Sequence, residues 1–318
     1  MPSTRLVLTI LLTLAPGLTG SALASCGSAY CSLATTFDAL GIRIQPGFRF
    51  DLRGEYVEQK TLRSGSDSVP PTAEPGTEDE VRTLNRNLVA TLDYSWAPDW
   101  GVTVLVPYVS RTHEHIVNDE LEGPVKEDWS FSGLGDLRLL GRYQLNRPDG
   151  STAGLRFGFS LPTGETDVRN AEGVRAERSL APGSGTTGLI LGANLNGKIG
   201  ATPAGYFTSV TGQWALNSHN DYRPGYQLLL NGGASYPLNG SLTALLQLSA
   251  LIKGRDQGAE AEPEDSGSQQ VFVGPGASLA LTRHLWVYAF VELPLYQHVN
   301  GTQLTADTAF VAGVSSLW

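Results

Sequence analysis

His113-Glu114-His115 places two imidazoles two residues apart, on one side of an extended strand. With carboxylates nearby, that spacing suits a metal ion. The same triplet also reads as the polar end of a strand running into an acidic loop. We adopt this second reading and assign no metal and no cofactor. Asp136, Arg138 and Arg142 share a parity, so one strand face would carry a carboxylate and two guanidiniums. Such a set can pair internally or select a charged solute. Cys26 and Cys31 are the only cysteines. They could close a small disulfide loop in an oxidising compartment. Alternatively, Leu23-Ala24-Ser25-Cys26 resembles a lipobox, which would lipidate Cys26; a metal or redox role for the pair is a third option. His219, His284 and His298 are isolated. No Gly-x-Ser-x-Gly elbow and no phosphate-loop spacing occurs, and the chain is read as a non-enzyme.

The elements that must position these groups are strands. About twelve stretches of roughly ten residues alternate apolar and polar side chains. Phe48, Phe50, Leu52 and Tyr56 oppose Arg49, Asp51, Arg53 and Glu55. Leu88, Leu92 and Tyr94 oppose Asn87 and Asp93, and Leu155, Phe157 and Phe159 oppose Arg156. Leu229, Trp286 and Phe290 interrupt the otherwise polar face. Long connections (61–81, 115–130, 164–185, 218–224, 255–267, 298–303) alternate with short ones (98–101, 146–151, 200–205, 239–240, 282–284). A soluble sandwich has no reason to gather its long loops at one end. An outer-membrane barrel does, because one rim faces the periplasm and the other the outside. The fold expected is therefore all-β: an antiparallel transmembrane up-and-down barrel of about twelve strands. Its polar face would line a lumen, with Arg49, Asp51, Arg53, Asp93, Asp136, Arg138, Arg142, Arg156 and Glu292 as the selectivity candidates.

Leu6–Leu14 is the only long apolar run, preceded by Arg5 and followed by small residues up to Ala22-Leu23-Ala24. It reads as a signal peptide over residues 1–24, with a short periplasmic segment over 25–44 and the barrel over 45–318. No other segment could span a bilayer as a helix. The net charge is −9, with the acid concentrated in long connections, such as Glu78, Asp79, Glu80, Glu260 and Glu262. Those loops read as solvated, or as bridged by divalent cations to anionic lipopolysaccharide. No patterned basic surface suggests nucleic acid. Aromatics near strand ends (Tyr94, Trp96, Trp100, Tyr108, Trp129, Phe131, Tyr236, Tyr296) suit interfacial girdles. The chain ends in Phe310, Val314 and Trp318 at a shared parity, which resembles the assembly signal read by the barrel-assembly machinery.

Further motifs lie between about residue 130 and the C-terminus. They are Ser132-Gly133-Leu134-Gly135-Asp136-Leu137-Arg138, Phe159-Ser160-Leu161-Pro162-Thr163-Gly164, Leu180-Ala181-Pro182-Gly183-Ser184-Gly185 and Gly232-Gly233-Ala234-Ser235-Tyr236-Pro237-Leu238. In order and spacing the chain resembles the outer-membrane family named for phenol degradation, also called transporters. The resemblance implies a barrel in the bacterial outer membrane that passes small solutes, hydrophobic or aromatic ones among them; it carries over no catalytic residues. The alternative is a non-transporting structural or binding barrel that uses its acidic outer loops.

Overall fold

The computed structural model describes residues 25–26, 46–121 and 123–318. Its strands are β1 (Gly47–Gly65), β2 (Glu78–Ser95), β3 (Trp100–Asp119), β4 (Gly123–Leu134), β5 (Leu137–Asn146) and β6 (Thr152–Leu161). They continue as β7 (Gly188–Lys198), β8 (Gly205–Ala215), β9 (Gln227–Pro237), β10 (Leu242–Lys253), β11 (Ser268–Ala280) and β12 (Leu285–Leu317). Neighbours pair antiparallel and β12 returns to β1, so eleven of these elements close a ring while β4 stands above it.

Two details set the number of staves. β4 pairs with the upper half of β3 and β5 with its lower half, so they form one stave interrupted at Gly135-Asp136. β12 is 33 residues long. Its Trp286–Val299 half pairs with β11, and its Thr302–Leu317 half pairs with β1. A closed ring of antiparallel neighbours needs an even number of staves, so β12 must double back. It does so at Asn300-Gly301, where Gly301 has φ of 54°. The ring is thus a twelve-stave barrel among the described residues.

The outward face explains why the sheet closes this way. Phe48, Leu88, Leu139, Phe157, Leu191 and Leu248 all stand exposed on it. Water would penalise so large an apolar surface, whereas hydrocarbon solvates it. Near the short connections, Phe48 stacks on Tyr94 (4.4 Å) and Trp100 packs on Tyr143 (4.9 Å). At the other edge Tyr56 meets Phe310 (6.3 Å). Beyond that level the outward face of β1–β4 turns charged, with Arg82 2.7 Å from Glu58 and Lys126 3.2 Å from Glu114. These staves rise past the apolar belt as a wall, the form of an outer-membrane barrel with its longer connections on one rim.

That wall corrects the expected loop at 115–130. β3 runs on to Asp119 and β4 begins at Gly123, forming a long hairpin. Outside the bilayer both faces can be polar, so the alternating pattern fades although the ladder continues. For the same reason the first long connection shrinks to 66–77, and 298–303 is a tight turn. At the opposite rim the barrel is sealed by its last residue: Trp318 N donates to Phe48 O (2.8 Å) and Phe48 N to Trp318 O (3.1 Å). A Cβ on Gly47 would lie 2.2 Å from Trp318 O, so glycine is needed at this seam. Ser25-Cys26 pairs in parallel with Gln303-Leu304, toward the long-loop rim. Residues 1–24 and 27–45, Cys31 and the side chain of Cys26 lie outside the described residues, as do the signal, disulfide and lipidation expectations placed on them.

Candidate functional site

The lumen near the short-loop rim is built around Asp93. Arg49, Asp93 and Thr103 share one row of β1, β2 and β3. Arg49 donates to Asp93 and to Ser95 Oγ (2.5 Å); Thr103 Oγ1 donates to Asp93 Oδ2 (2.6 Å). Arg142 comes from β5, two staves from β2, and still reaches Ser95 Oγ (2.5 Å) and Asp93 Oδ1 (3.3 Å). It crosses over Gly101, where a Cβ would meet the guanidinium at 2.5 Å. Arg142 also donates to Gln144. Higher on β1, Asp51 accepts from Tyr288 Oη (3.0 Å) and from Ser315, while Arg53 donates to Glu55 Oε1 (2.8 Å). Asp93 thus meets one guanidinium from the adjacent stave and one from two staves away, Arg53 pairs within its own stave, and Asp51 is met by hydroxyls, the kind of pairing that buried charge requires.

A second part of the lumen is apolar. Leu245, Tyr288, Phe290 and Val311 form a buried cluster beside Trp286. Above it lie Val57, Phe272, Ala306 and Ala309, and above those Leu62, Trp129 and Leu304. Register gives the direction: Val311 lies opposite Glu55, Ala309 opposite Val57, and Leu304 opposite Leu62. The three clusters therefore ascend β12 as one apolar seam. Trp286 and Phe290, which interrupted the polar face in the sequence, belong to this seam. Ladder slips at Thr305–Thr308 keep successive apolar residues on the inside where strict alternation would turn them out.

The connection 162–187 folds into the mouth as a plug. Its feet are the two glycine motifs: Gly164 and Gly183 touch so closely that a Cβ on Gly183 would lie 2.4 Å from Gly164 C. Asp136, at the break between β4 and β5, accepts from Gly164 N (3.1 Å), Ser184 N (2.9 Å) and Ser184 Oγ (2.7 Å). Arg111 donates to Leu180 O, and Arg178 to Thr166 O and Ser184 O (3.0 Å). Val168, Ala176 and Leu180 of the plug pack on Leu62, Trp129 and Leu304 of the wall. Below the plug, Arg138, Ser160, Gln213 and Lys253 line a cavity of about 130 Å³. Above it, Glu177, Arg178, Tyr222, Asp256 and Glu262 line one of about 280 Å³. Burial, with the neighbouring Glu80, holds the Glu177 carboxyl well above the usual range. Burial followed by the Glu177 charge pushes Glu262 up to about 9.

The nine lumen candidates do not form one cluster. Arg49, Asp93 and Arg142 meet. Asp51, Arg53 and Glu292 lie in the same lumen, Glu292 being buried, while Arg138 lines the lower cavity and Arg156 sits in the row of Arg142. Asp136 departs from the expected polar cluster with Arg138 and Arg142; it holds the plug. Trp129 is no girdle residue either, because it is buried inside against the plug and the histidines. Phe310 and Trp318 face outward at the two edges of the apolar belt, both exposed. Sequence reasoning missed Gly101, Tyr288, Gln144 and the plug's Arg178 and Leu180. A glycine opposite an arginine is a faint signal for the first; the others depend on which staves become neighbours.

The family model described as the MetA pathway of phenol degradation matches residues 79–293. An outer-membrane channel from Pseudomonas putida F1 superposes with a TM-score of 0.63 at 12% identity, covering 87% of this chain and 97% of that one. The Ralstonia pickettii toluene transporter TbuX aligns at 10% identity over 86% of this chain and 90% of its own, and its TM-score of 0.44 is too low to bear on function. No curated protein sequence matches the chain significantly.

Proposed function

Because the chain belongs to the phenol-degradation MetA-pathway family of outer-membrane barrels, we propose that it is a passive, non-enzymatic channel for small hydrophobic or aromatic solutes. The observation that carries this reading is the apolar seam inside the lumen, from Tyr288 and Phe290 up to Leu304. An interior serving only ions would gain nothing from it, since apolar groups do not coordinate ions. A solute carrying one aromatic ring and one polar group could slide with its ring on the seam and its polar end toward the Arg49, Asp93 and Arg142 side. The seam side chains are themselves buried, Phe290 and Leu304 among them, so in this reading they part as the solute passes. The plug lines both cavities, and in this reading it shifts for passage.

The test is uptake of labelled phenol and benzoate by intact cells lacking the gene, complemented with parent or variant barrels. The lipopolysaccharide leaflet of such cells slows apolar solutes, so a channel is visible against it. The parent should raise uptake several-fold, and Phe290→Glu should abolish most of the gain by placing a charge in the seam. Equal uptake with and without the barrel would sink the proposal and return the chain to a structural or binding role.

A further inference from the structure

The outer mouth holds a second convergence of side chains. His113 and His115 of β3 face inward above the apolar belt, and both are buried. Glu80 of β2 and Glu127 of β4 flank His115 in its row; Thr83 and Trp129 flank His113 in the row below. Inward residues of β2 are odd-numbered: Thr83, Asn85, Asn87, Asp93. Glu80 joins them only because the ladder slips between Glu80 and Arg82. A bulge re-aims the side chains beyond it, and here it aims a carboxylate at two imidazoles. One ligand atom from each of Glu80, His113 and His115 lies within 4.8 Å of the other two. His113 Nε2 is 3.5 Å from Glu80 Oε2, and its Nδ1 is 2.8 Å from Thr83 Oγ1, which orients the ring. His115 Nε2 is 3.2 Å from Glu127 Oε2. Trp129 packs on both rings, with centroids 5.6 and 4.7 Å away.

We propose that Glu80, His113 and His115, completed by Glu127, bind one divalent transition-metal ion of the zinc class at the barrel mouth. Two imidazoles with carboxylates form the mixed nitrogen and oxygen donor set such ions take, whereas calcium and magnesium favour all-oxygen shells. The donors come from three adjacent staves of a continuous ladder, so their spacing is held by backbone pairing and needs only small side-chain rotations to close on an ion. The Thr83 contact to His113 is the outer-shell partner that fixes a ligating imidazole. An acidic path leads in: Glu177, which meets Glu80, also lines the outer cavity with Asp256 and Glu262.

The mature barrel, refolded in detergent without a histidine tag, would be titrated with Zn²⁺ by calorimetry and with Co²⁺ by visible absorption. We expect one equivalent per barrel and Co²⁺ bands of nitrogen-ligated metal, with Mg²⁺ and Ca²⁺ failing to compete in large excess. His113→Ala combined with His115→Ala should weaken binding about tenfold or more. The milder His115→Gln and Glu80→Gln should each weaken it as well. Heat-modifiable migration on gels verifies that each variant is a closed barrel. Zn²⁺ affinity unchanged in a folded double variant, or absent binding by the parent, overturns the proposal.

Discussion

The two ends of the barrel interior solve the problem of buried charge in opposite ways. Near the short-loop rim, Asp93 faces two guanidiniums and the Thr103 hydroxyl, so its charge is met within the protein. At the outer mouth, carboxyl groups meet other carboxyls and imidazoles: Glu80 faces Glu177, His113 and His115. Such a set needs protons or a cation to be stable. The contrast teaches where rigidity and responsiveness lie: the lower network is self-sufficient, and the upper one answers to its surroundings.

The strongest way to break this comparison is Asp93→Ala. It leaves Arg49 and Arg142 buried without their carboxylate, and we expect a loss of about 3–5 kcal/mol, measured by equilibrium urea unfolding in lipid. A loss under about 1 kcal/mol, the range of exposed pairs, would show that water reaches this network freely.

Next in size is Asp136→Ala, which removes the acceptor for three donors at the feet of the plug. Each is a hydrogen bond to a charged group worth about 1.5–3 kcal/mol. The barrel should stay closed while connection 162–187 loosens, raising single-channel conductance several-fold and opening 162–187 to protease. Unaltered conductance and protection would mean that Arg111, Arg178 and the Trp129 packing suffice to hold it.

A smaller effect is expected from pH. The Glu262 carboxyl is pushed from its ordinary 4.5 up to about 9 by burial, then by Glu177 and other neighbouring acids. Because the folded value is raised, its contribution is fully present below about 4.5 and is lost as pH climbs toward 9. Proteolysis of the outer loops should therefore quicken from pH 5 to pH 9, and Glu262→Gln should flatten the profile. A rate that is flat in the parent would contradict the burial of this group.

The smallest effect belongs to the outer wall. Lys126→Ala removes an exposed partner of Glu114, and unfolding free energy should move by at most about 1 kcal/mol, less in high salt. A larger change would place this pair inside the bilayer and raise the base of the wall.

The sequence alone determined the class of structure. Alternation of Phe48, Phe50 and Leu52 with Arg49, Asp51 and Arg53 has one physical solution in a strand: lipid on one side and a polar interior on the other. The alternating connection lengths pointed to two unlike rims, although 61–81, 115–130 and 298–303 are shorter in the fold than the pattern suggests. Parity put Arg49, Asp93 and Arg142 each on the polar face of its strand, and those three meet. Tertiary structure decided what parity cannot express. A ladder slip turned Glu80 toward His115; Gly101 opened the crossing by which Arg142 reaches Asp93; the glycine feet folded residues 162–187 into the mouth. Each depends on which staves become neighbours and in what register. Contacts between Glu80 and His113, or Asp136 and Ser184, span tens of residues along the chain and exist only once the ring has closed.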